Sequence, residues 1–74
     1  MKEYLITFHL VTGRDVVAHI SADINLEDEK VRTRIANEIV RDPFNYAFEN
    51  SKLEIVNMDN VASITVAKAE EVMK

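Results

Sequence analysis

The chain has 74 residues, of which 47% are apolar and 30% charged, with one glycine, one proline and no cysteine. That composition belongs to a folded chain rather than a disordered or fibrous one, and the length leaves room for one core that hides about 60% of the unfolded surface. The lack of cysteine excludes disulfides and thiolate metal sites, and thirteen acidic against nine basic residues, a formal charge of −4, argue against a phosphate-backbone partner.

Met1-Lys2-Glu3-Tyr4 leads straight into a strand pattern, and no apolar run approaches the roughly 20 residues that span a bilayer. The expectation is a cytoplasmic protein with no membrane partner and a single domain over 1–74. Tyr4, Ile6, Phe8 and Leu10 alternate with Leu5, Thr7 and His9, the period of a half-buried strand with its even positions inward. A second alternating run follows, with Val16, Ala18, Ile20 and Ala22 on one side and Val17, His19 and Ser21 on the other. Directly opposed residues of an antiparallel pair share a face, so keeping both even sets inward requires an odd-length loop. Val11-Thr12-Gly13 fits, with Gly13 in the left-handed region, Phe8 opposite Val16, Leu5 opposite His19 and His9 opposite Asp15.

Leu10 to Ala18 locally resembles the hairpin of Sm-like RNA-binding proteins, where a glycine turn links two strands of a bent barrel. The resemblance covers about nine residues and departs afterwards, because a helix pattern follows and no later glycine exists, so no family is assigned.

Asn25 reads as an N-cap before Leu26-Glu27-Asp28-Glu29, whose carboxylates suit a helix N-terminus. Val31, Ile35 and Ile39, widened by Ala36 and Val40, form the buried stripe, and Pro43 ends the helix near Arg41. Asp42-Pro43 can cap a short helical turn over 43–49, with Phe44, Ala47 and Phe48 on one face and Asn50-Ser51 as its exit, the alternative being an irregular aromatic loop. Lys52–Asn57 and Val61–Val66 read as a second hairpin turning at Met58-Asp59-Asn60. The predicted fold is therefore α+β, ββαββ, with two antiparallel hairpins in one four-stranded sheet and one main helix on one face. Residues 68–74 form a helical or frayed tail.

No nucleophile motif, phosphate loop or paired carboxylate with a positioned base is present, so no enzyme activity, metal or cofactor is expected. His9 and His19 share the odd face without being cross-strand partners, and read as half-exposed strand residues. Asp23, Glu27, Asp28 and Glu29 lack a calcium-loop pattern and suit the helix dipole. Lys30, Arg32, Arg34 and Arg41 are interspersed with Glu27, Glu29 and Glu38, as on a solvated helix face. Among Phe44, Tyr46 and Phe48, the two Phe read as plugs for the core and Tyr46, out of phase with them, as an exposed anchor, the alternative being that the segment is a surface that stacks bases or grips a partner. The odd sheet face, half apolar, or a sheet edge is the expected interface, with Leu5, Val17, His19 and Val56 as candidate residues on that face and Tyr46 as a candidate anchor outside it. The functional expectation is a non-enzymatic protein-interaction module of unknown process, partnered by itself or by another protein. Single-stranded nucleic-acid binding across the sheet is the alternative.

Overall fold

The first hairpin forms as its alternation requires. The computed structural model describes residues 2–23, 25–49 and 52–69. Strands β1 (Lys2–Leu10) and β2 (Asp15–Ala22) pair antiparallel with Phe8 opposite Val16, Leu5 opposite His19 and His9 opposite Asp15. Gly13, at φ +92°, closes the three-residue turn in a region where a Cβ would be strained. Its N–H donates to the Leu10 carbonyl at 2.9 Å, and the Leu10 N–H donates to the Arg14 carbonyl at 2.9 Å.

Helix α1 spans Asp28–Arg41, so it begins two residues later than the predicted start at Leu26. Glu27, not Asn25, holds the N-cap position, with extended backbone and no side-chain cap bond. The first turn is tied down instead through Asp28, whose carboxylate accepts from Lys2 Nζ of β1 at 2.9 Å and from Lys68 Nζ at 2.7 Å. Val31 and Ile35 are buried, and Val40, expected to widen the stripe, is exposed. The helix stops at Arg41, and Asp42, before proline, is extended.

The remainder departs from prediction in three ways. Residues 44–49 are neither a helical turn nor an irregular loop: Phe44–Glu49 is strand β3, paired antiparallel with β4 (Lys52–Asn57). Asn50 and Ser51, the expected exit of a helical turn, lie outside the described residues. The second predicted hairpin does not form either. Met58–Asn60 is a 3₁₀ corner in which Asn57 Oδ1 accepts from the Asp59 N–H at 3.0 Å, and the chain leaves β4 to run as β5 (Val61–Lys68) alongside β1. The result is a three-stranded sheet in the order β2-β1-β5 and a two-stranded sheet β3-β4, in place of one four-stranded sheet. Of the tail, Ala69 is buried, and 70–74 lies outside the described residues. Among the described residues no helix is long and apolar enough to cross a membrane.

One cluster joins these elements. Tyr4, Ile6 and Phe8 of β1 and Val16 and Ala18 of β2 meet Val31 and Ile35 of α1 and Ala47 and Val56 of β3-β4. Tyr4, Phe8 and Val31 are its largest fully buried side chains, and each buried aromatic removes roughly 150–250 Å² from water.

The Asp28 ion pairs carry a pH dependence. The two lysine hydrogen bonds lower the Asp28 carboxyl from its ordinary 3.8 to about 2. A depressed carboxyl stabilises the fold fully above its unfolded value and loses that contribution as pH falls through the folded one. In thermal unfolding between about pH 5 and pH 2, wild type is expected to exceed Asp28→Asn at the upper end and converge on it at the lower. Parallel curves across that range would show that the pairs do not hold the helix end.

Candidate interaction surface

Pairing β3 with β4 decides which side chains face the solvent. Tyr46 lies opposite Ile55, Phe48 opposite Leu53 and Phe44 opposite Asn57, so these six share one face. The opposite face carries Ala47 and Val56, both in the core, with Asn45 and Glu54 beside them. Asn45 Nδ2 donates to the Ile39 carbonyl at 3.2 Å, taking up an acceptor of the last helical turn, and Glu54 pairs with Arg14 at 2.6 Å. These inward contacts hold the sheet against the body of the domain and turn its apolar row outward. Phe44, Tyr46, Phe48, Leu53 and Ile55 are all exposed, from 48% at Phe44 to 69% at Phe48.

An antiparallel sheet with one solvated face ordinarily turns its polar row outward. Here the order is inverted. The largest contiguous apolar patch on a soluble monomer, ordinarily roughly 300–600 Å², is often a functional surface. The five side chains, each leaving roughly 100 Å² in water, make a patch of about 500 Å².

The predicted interface residues are divided by the fold. Tyr46 belongs to this patch. Leu5 and Val17, half-buried, and His19, exposed, lie on the outward face of the three-stranded sheet, with Leu5 opposite His19. Val56, placed on the open face by sequence alternation, is 3% exposed and packs in the core, because β4 presents Leu53 and Ile55 outward. Phe44 and Phe48, read as core plugs, are corrected in the opposite sense, since both are exposed. The missed signal was the alternation of Phe44, Tyr46 and Phe48 at i, i+2 and i+4, which suits a strand as well as Phe44, Ala47 and Phe48 suit a helix.

A second constellation sits on the outward face of the three-stranded sheet. His9 Nδ1 lies 2.9 Å from Asp15 Oδ1, and His9 Nε2 lies 2.8 Å from Thr65 Oγ1. An ionised Asp15 can only accept, which puts a proton on Nδ1 and leaves Nε2 to accept from the Thr65 hydroxyl when the ring is neutral. The connectivity is that of an acid–base–nucleophile relay. Its surroundings are not. The Asp15 side chain is 56% exposed, and an exposed carboxylate orients and charges an imidazole far less than a buried one. The chain of bonds runs from β2 through β1 to β5, and its role follows from that placement: it clips three strands together.

His19 has no part in this clip, and among the described residues no group of three or more His, Cys, Asp or Glu is placed to hold a metal ion. Along α1 an open depression of about 490 Å³ is lined by Glu27, Glu29, Glu38, Lys30, Arg34 and Arg41 with their polar neighbours. Mixed charge on the outward side of a surface helix is an ordinary solvated face. Compared with family models, characterised proteins and solved structures, the chain matches none.

The clip makes a measurable contribution. Replacing His9 by Ala is expected to lower stability in urea unfolding by about 1 kcal/mol and Thr65→Val by somewhat less, as for exposed hydrogen bonds. The double variant is expected to lose less than the two single losses together, because both remove the same bond. Full additivity would show that His9 and Thr65 act independently.

Proposed function

We propose that this chain is a non-enzymatic protein-interaction module that self-associates, and that the outward face of β3-β4 is where it does so. One observation carries the reading: five large apolar side chains exposed on one face of a two-stranded sheet whose other face is packed in the core. Burying such a patch against protein returns about 25 cal/mol per Å². Aromatic anchors such as Tyr46 and Phe48 are the side chains that dominate interface energetics.

A second reading has its own observation. Phe44, Tyr46 and Phe48 stand in one row, spaced about 6.7 Å apart as alternate strand residues are, and exposed aromatics on a sheet can stack unpaired bases. Against it, the register puts no Lys or Arg on that face, and the chain is net acidic. Backbone phosphates have little to bind there.

Light scattering behind a sizing column, over a hundredfold dilution, separates the two. Self-association predicts a dimeric or larger mass that falls to a monomer in Tyr46→Glu/Phe48→Glu, with an unchanged circular dichroism spectrum because both positions are exposed. Dissociation should be at least about tenfold easier. A strict monomer at every concentration overturns the reading. If that monomer were also retained on immobilised single-stranded DNA in a salt-sensitive way, the second reading would replace the first.

A further inference from the structure

The outward face of β3-β4 has an internal asymmetry that dictates how a second copy fits. Its β3 row is aromatic, with Phe44, Tyr46 and Phe48; its β4 row is aliphatic, with Ile55 and Leu53. We propose, building on the self-association reading, that two copies pack these faces together about a two-fold axis lying in the interface and running along the strands. In this arrangement the aromatic row of each protomer lies on the aliphatic row of the other.

The occupant follows first from area. About 500 Å² of exposed apolar surface on one protomer supplies the larger part of the ~800 Å² per partner of a standard interface, and Asn57, on the same face, adds polar surface at its rim. A copy of the same face is a partner of matching extent and equal apolarity. The other broad surfaces match it poorly. The outward face of the three-stranded sheet carries His9, Asp15, His19 and Thr65 among half-buried Leu5 and Val17, and the outward side of α1 is charged.

The orientation follows from shape. Two like sheets packed face to face and related by a two-fold axis must have that axis in the plane between them. If the axis ran across the strands, aromatics would meet aromatics and aliphatics would meet aliphatics, leaving the interface thick on one side and hollow on the other. If it runs along them, tall side chains oppose shorter ones throughout. That is the alternation that fills the ~10 Å between packed sheets evenly. Because Tyr46 and Ile55 are direct cross-strand neighbours, the same axis sets Tyr46 over the partner's Ile55 and Phe48 over the partner's Leu53. The assembly is then closed at two copies, since each face is used once.

Charge complementation tests this orientation. Tyr46→Lys alone and Ile55→Glu alone each place like charges in the interface, and both variants are expected to be monomeric at concentrations where wild type is a dimer. Mixed in equal amounts, they are expected to form a heterodimer at least about tenfold tighter than either variant with itself, because Lys at 46 then faces Glu at 55 of the other chain. Light scattering reads the mass, and circular dichroism confirms that both variants fold. A mixture that stays monomeric while wild type dimerises overturns the orientation and leaves self-association standing. A monomeric wild type overturns both.

Discussion

Strand β1 is shared by two neighbours, and most of the architecture depends on that sharing. Its inward residues Tyr4, Ile6 and Phe8 are almost wholly buried, while its two edges are taken up by β2 and β5. β5 takes one of those edges, and among the described residues no ladder joins it to β4. β4 has β3 as its ladder partner, and α1 returns the chain between the two sheets. The ends of β1 and β5 are drawn together with the start of the helix by Asp28, which binds Lys2 and Lys68 at once. The other end of the same pair of strands is held by the Asp15–His9–Thr65 clip.

The apolar outward face is a consequence of this arrangement. With β5 elsewhere, the β3-β4 sheet is only two strands wide, and an isolated hairpin has little independent stability. It is held by one inward row, Ala47 and Val56 packed in the core with Asn45 bonded to the end of α1. Small Ala47 lets the sheet approach closely. The larger apolar side chains are then left on the side facing away, where a second copy can cover them. The proposed function thus rests on the disposition of ordinary packing residues, with no special chemistry.

The parts legible in the sequence were those decided locally. The register of the first hairpin followed from the parity of its loop and the position of Gly13, and the end of α1 followed from Pro43. The parts that were not legible were decided by partners distant in the chain. Asn25 looked like a cap, but the helix start is set where Asp28 meets lysines from β1 and β5. Phe44, Ala47 and Phe48 suit a helical face while Phe44, Tyr46 and Phe48 suit a strand, and pairing with Leu53 and Ile55 resolved the ambiguity. Met58-Asp59-Asn60 looked like a hairpin turn, yet the Asn57 side chain folds it into a 3₁₀ corner, so Val61–Val66 finds β1 rather than β4. Inverting β4 moved Val56 from the expected interface to the core.

The sharing of β1 is open to direct observation by nuclear Overhauser contacts between backbone protons of uniformly labelled protein. The architecture described here predicts cross-strand contacts from Thr7 to both Val17 and Thr65, and from Tyr46 to Ile55. Contacts between Lys52–Asn57 and Val61–Val66 across the Met58–Asn60 corner, with none from Thr7 to Thr65, would mean that β5 pairs with β4. The outward apolar face would then have no basis.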